Sequence, residues 1–197
     1  MLVAFSAFEG FTKAPRRFAV EPSPGVSMRH FKEGNPAQER GFGVDADGMK
    51  GYISESFDGI NVAEASGDTF FSYDPDRDLP ADRTFPFATI VTGDHYDAVS
   101  DLTRPGDYRL NIGLTKATYT SLFGAVPTKR DENGVLETGF DHAVRDQVIP
   151  HPIYASQYWV SVVNPGEETL DVIRPMLAEA HEFAVRKHVN QRDRRIR

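Results

Sequence analysis

Cysteine is absent from this chain of 197 residues, which excludes disulfides, thiolate-ligated zinc, iron–sulfur clusters and cysteine nucleophiles. No apolar run approaches the roughly 20 residues that a membrane-spanning helix requires. The opening MLVAFSAFEGF has no basic start and is interrupted by Glu9. Together these absences lead us to expect a cytoplasmic protein with no membrane partner. Several catalytic signatures are missing as well: no Gly-x-Ser-x-Gly, no His-Glu-x-x-His, no Walker loop and no Gly-x-Gly-x-x-Gly. Basic charge is scarce through most of the chain. Residues 49–185 carry ten basic and 22 acidic side chains, a net charge of −12, whereas residues 186–197 carry +5. So acidic a body repels phosphate backbones, leaving only the C-terminal end suited to nucleic acid.

What is present is the composition of a soluble globular domain, 40% hydrophobic and 26% charged. Residues 1–48 are rich in breakers such as PSPGVS and KEGNPAQERGFG and show no sustained periodicity. They read as a disordered or non-native N-terminal extension, with the natural start at or near Val44 or Met49. Residues 49–188 read as a single domain and 189–197 as a basic C-terminal tail. KGYISESFDG has the spacing of a short helix, and Gly67-Asp68 marks a hairpin turn into the strand TFFSYD. FPFATIVT, apolar on both faces, suits a strand near the sheet centre. DYRLNIGL alternates, with Tyr108, Leu110, Ile112 and Leu114 on one face and Arg109, Asn111 and Gly113 on the other. Thr115 is positioned to cap a helix over 116–123 whose Tyr119, Leu122 and Phe123 face inward, and Gly124 to end it. SQYWVSVVN is the last strand. Asn164, Pro165 and Glu167 resemble a helix start, and Leu170, Ile173, Leu177, Ala180 and Ala184 form an apolar stripe widened by Met176 and Phe183. Pro175 predicts a kink or a break in that helix. The fold class expected from this order is α+β, a mostly antiparallel sheet of about five strands with helices packed on one face.

Two resemblances run through these segments. RLNIGLTKATYTSLFG, YWVSV and LAEAHEFAV resemble the strand–helix, tryptophan strand and closing helix of MmcQ/YjbR-like proteins, over roughly 49–187. That likeness implies an α+β double-wing fold and, by fold analogy, DNA binding. ASGDTFFSYDPD, FPFATIVT, RPGDYRLNIGL and HPIYASQYWVSVVNP are similar in wording to a bacterial domain-of-unknown-function family, which implies no activity. Gly113 stands where the wider family tends to have lysine, Ala180-His181 where it tends to have Ser-Tyr, and Ala155, Ser156 and Gln157 where basic residues are usual.

Candidate ligand-binding residues are Arg109, Asn111, His151, Tyr154 and Trp159. Arg109 and Asn111 on one strand face, near Lys116 at a helix start, suit an anion or carboxylate. Their plainer role is charge compensation on an exposed face and cross-strand hydrogen bonding. His151, fixed between Pro150 and Pro152, suits a general base or, more simply, a histidine satisfied by backbone bonds. Tyr154, Tyr158 and Trp159 offer an aromatic surface or core packing. His95 with Asp94 and Asp97 is the best local metal-like cluster, yet its spacing favours solvated turn residues, and neither metal nor cofactor is expected. Three functions remain open: a non-enzymatic binding or interaction domain for a small molecule, another protein or a second copy of itself; nucleic-acid binding through the basic tail; and a small enzyme using His151 or His95 as acid or base.

Overall fold

The computed structural model describes residues 44–80 and 83–196; most of the N-terminal extension lies outside them. Three helices and six strands follow in the order α1 (Ala46–Ser56), β1 (Ile60–Ala65), β2 (Asp68–Tyr73), β3 (Pro86–Val91), β4 (Arg109–Gly113), α2 (Lys116–Phe123), β5 (Ile149–Pro150), β6 (Trp159–Val163) and α3 (Glu167–Ile196). All neighbouring strands are antiparallel, in the order β1-β2-β3-β4-β6-β5. The class is α+β, as the sequence implies; the sixth strand is the two-residue β5 on the edge, where Pro150 is tolerated.

Cross-strand register sorts the side chains into two layers. Ala88, Ile112 and Val160 form one row, and Ile90, Leu110 and Val162 the next, all buried against Ile173 and Leu177 of α3 and Met49 and Ile53 of α1. On the reverse side run Thr89, Asn111, Ser161 and Ile149, beside Val91, Arg109 and Val163. A bulge sets Phe87 apart: Phe71 pairs with Ala88 and Ser72 with Pro86, so Phe87 is skipped and its ring reaches Phe57 and His181.

Local chemistry accounts for most boundaries. Asp45 accepts the Gly48 amide at 2.8 Å and starts α1 four residues before the apolar spacing alone suggests. The hairpin turns on Ser66 and Gly67, one residue earlier than expected, because both adopt positive φ (55° and 89°) and Ala65 pairs with Asp68. Thr115 Oγ1 accepts the Thr118 amide at 3.3 Å, and Gly124 ends α2. Thr115→Ala should therefore cost about 1 kcal/mol, read by urea denaturation. Leu122 of the same helix is 47% exposed rather than inward. β6 begins only at Trp159, since Ala155–Gln157 form a 3-10 turn closed by Tyr158 at φ 68°.

The start of α3 departs most from local reading. Asn164 does not cap it: its side chain accepts from Tyr108 N at 2.8 Å and donates to Asp107 at 2.6 Å, lashing the end of β6 to the start of β4. The cap comes from Asp146, twenty residues upstream, whose Oδ1 accepts the Gly166 amide at 2.6 Å and also the Thr169 hydroxyl. A side chain at Gly166 would collide with that carboxylate, its Cβ only 2.5 Å from Oδ2. Past Pro175 the helix continues to Ile196 as one element. The basic C-terminal segment is thus helical, and Arg192 binds Asp76 and Asp78 at 2.5 and 2.6 Å.

Candidate functional site

The reverse side of the sheet gathers three of the five residues that the sequence singles out. Arg109 is not on an exposed face. It is 3% exposed, and its guanidinium grips both oxygens of Asp97 at 2.9 and 2.8 Å and donates to Ser100 Oγ at 2.7 Å. Asn111 reaches across to Thr89 Oγ1 at 2.9 Å, the cross-strand bond its position predicts. His151 is buried, and its Nδ1 accepts the amides of Ile153 (3.0 Å) and Tyr154 (3.2 Å), so Nε2 carries the ring proton. Burial first, then the charges of Arg109 and His142, hold its pKa well below the ordinary value. His142, also buried, binds Thr138 Oγ1; burial and Arg109 lower its pKa, while Asp97 and Asp141 oppose the shift.

Within this layer Arg109 Nε, Asn111 Oδ1 and Ser161 Oγ have no hydrogen-bond partner among the described residues. It is a sequestered polar layer rather than an exposed binding face. A proton donor or acceptor here lies behind the sheet and its covering loops, which disfavours the acid–base role considered for His151. The His95 cluster is dispersed too, because Asp97 is committed to Arg109 and Asp94 accepts the Leu102 amide. Among the described residues no group of three His, Asp or Glu side chains is arranged to hold a metal ion.

Trp159 and Tyr154 occupy the boundary of that layer. Trp159 meets His151 edge to face at 6.4 Å, and the Tyr154 ring tilts over the same imidazole at 5.0 Å. Gly113, directly opposite Trp159 in the register, allows the indole to lie on the β4 backbone: a Cβ there would stand 3.1 Å from Cε2. Gly113→Ala should push the indole aside by a few tenths of an ångström and shift the tryptophan emission. An unchanged emission maximum would show that the indole does not depend on this contact.

Beyond Trp159 the surface opens into a groove of about 680 Å³ between the ends of β3, β4 and β6 and the second half of α3. Its apolar wall is aromatic, with Tyr73, Phe85, Phe87, Trp159 and Phe183. Phe183, which the periodicity places in the core stripe, is 36% exposed here. Arg83, Lys116, Lys187 and His188 supply the cationic and imidazole groups. The N-terminus of α2 beside it is already occupied by an internal anion: Glu179 accepts the Thr115 amide at 3.2 Å and the Thr118 hydroxyl at 2.8 and 2.7 Å. Burial works against that carboxylate's charge, but these bonds and Arg186 outweigh it and lower its pKa. The helix-start anion site expected near Lys116 is therefore filled by the protein itself.

Fold and site together define a helix-backed antiparallel α+β domain with a sealed polar layer and an open aromatic groove. The chain belongs to a family of unknown function, DUF6194, whose profile matches residues 44–194. Comparison with curated proteins and with solved structures gives no match. Of the residues that the sequence singles out as ligand-binding candidates, Trp159 lines this groove; Arg83, Phe85 and Lys187 also line it, and Phe183 faces it rather than the core. The one available signal was Phe183 and Lys187 at i, i+4, where the ammonium sits 5.1 Å from the ring centroid on an otherwise solvent-facing turn.

Proposed function

We propose that this protein is a non-enzymatic binding domain whose ligand, a small molecule, occupies the groove between the strand ends and α3. The observation that carries this reading is the half-buried indole of Trp159 set on the Gly113 backbone at the wall of a concavity within the ordinary size range of small-molecule sites. Large, rigid aromatic surface beside a few polar groups is what such sites use for affinity and orientation. Arg109, Asn111 and His151 serve in this reading as the buried support that fixes β4, β6 and the 3-10 turn behind Trp159. Tyr154 screens His151.

A cytoplasmic setting belongs to the same reading: no cysteine ties the chain to an oxidising compartment, and among the described residues no helix is long and apolar enough to cross a membrane. Because Trp159 is the single tryptophan and lines the groove, its emission responds to a ligand bound there. A metabolite panel should contain compounds that both change this emission and raise the melting temperature, since a ligand that binds only the folded state stabilises it. Compounds that stabilise the protein while leaving Trp159 untouched would move the site elsewhere.

A further inference from the structure

The charge lining the groove is opposite in sign to that of the molecule. The chain carries 29 Asp and Glu against 22 Lys and Arg, yet among the described residues no carboxylate lines the groove, whereas Arg83, Lys116 and Lys187 do. A smaller adjoining hollow between Phe85 and Gln191 repeats the pattern with Arg83 and Arg194. Nearby acids are engaged elsewhere. Asp76 and Asp78 bind Arg192, and Glu179 is held by Thr115 and Thr118 at the start of α2. The charge of Asp76 and Asp78 is thus offset by a cation, while Glu179 stays anionic with its oxygens turned to the start of α2. An apolar floor also strengthens the remaining field, because cations beside low-dielectric walls are less screened than on an open surface.

Resting on the groove as the ligand site, we propose that its natural ligand is an organic anion: a planar or apolar body lying against Trp159 and Phe87, with a carboxylate, sulfonate or phosphate group facing Lys116 and Lys187. The aromatic wall supplies contact area for the body but no hydrogen-bond donors strong enough to hold the charge. The two ammonium groups supply those donors, and ordinary net-negative surroundings exclude the same ligand from the rest of the surface. A single-stranded nucleic acid would use the same chemistry on a larger scale, but the concavity has the volume of a small molecule.

A matched pair of fluorophores tests the charge directly: anilinonaphthalene sulfonate and its uncharged parent N-phenylnaphthylamine, each read by energy transfer from Trp159 in the full chain. The sulfonate should bind at least about tenfold more tightly than the neutral parent, equivalent to about 1.4 kcal/mol. Its advantage should shrink with salt and disappear in a Lys116→Gln, Lys187→Gln double variant that keeps the wild-type melting temperature. Equal affinity for the two probes would overturn the anion assignment and leave the groove as a neutral apolar site. Failure of the bound sulfonate to accept energy from Trp159 would overturn the groove itself. Displacement of the sulfonate by a short oligothymidylate that binds more tightly would overturn the small-molecule occupant in favour of a single strand.

Discussion

An Asp97→Ala variant should lose about 3–5 kcal/mol of stability, the range found when one member of a buried ion pair is removed and its partner is left charged. Arg109 and Asp97 are 3% and 7% exposed in their side chains, so water cannot replace the lost carboxylate. Ser100 alone then faces a guanidinium that already has an unpartnered Nε. Against a typical total stability of about 5–15 kcal/mol, that loss brings the protein close to unfolding at ordinary temperature. The companion experiment separates charge from packing. Adding Arg109→Met to Asp97→Leu removes both charges and should recover much of the loss, because apolar replacements of a buried pair are often neutral or better. Urea denaturation reads both variants, and a single variant within 1 kcal/mol of wild type would show that the pair contributes little.

Acid should destabilise the protein from pH 6.5 downward, well before carboxylates titrate. His151 is neutral in the folded state, with its pKa held well below the ordinary 6.5 by burial and by the charges of Arg109 and His142. The unfolded chain binds a proton at this position below about 6.5, while the folded chain does not. Unfolding therefore takes up a proton, and stability falls as pH drops through 6.5 toward the folded pKa. The limiting slope is about 1.4 kcal/mol per pH unit for one such histidine. His142, shifted in the same direction, adds to it. His151→Asn should flatten the profile, since Asn Oδ1 can stand in for Nδ1 in accepting the Ile153 and Tyr154 amides without titrating. A variant with the wild-type slope would show that His151 is not the group responsible.

These two effects trace to burial and to charges brought in from other elements of the fold, and that separation decides what the sequence can disclose. β4, α2 and the apolar stripe of α3 are legible because period, cap and breaker lie within a few residues of one another. Thr115 and Gly124 bracket α2 where local rules place them. Alternation puts Arg109 opposite the apolar face, but nothing local shows that the loop carrying Asp97 and Ser100 folds over it and buries it in an ion pair. Asp146 caps a helix twenty residues away, so Asn164, with better local credentials, is mistaken for the cap. The groove is the extreme case. Its cations come from Arg83, Lys116 and Lys187, which only tertiary packing brings together.

The position of α3 also bears on how the chain is made. All six strands precede it, yet Ile173, Leu177 and Ala180 provide much of the cover over Ala88, Ile90, Leu110, Ile112, Val160 and Val162. During synthesis the part of the apolar side that α1 does not cover must therefore wait, exposed, until α3 has left the ribosome. Its final turns then reach back to the β2–β3 connection through Arg192. Nascent chains arrested before α3 should be held by chaperones or aggregate rather than accumulate as a stable sheet.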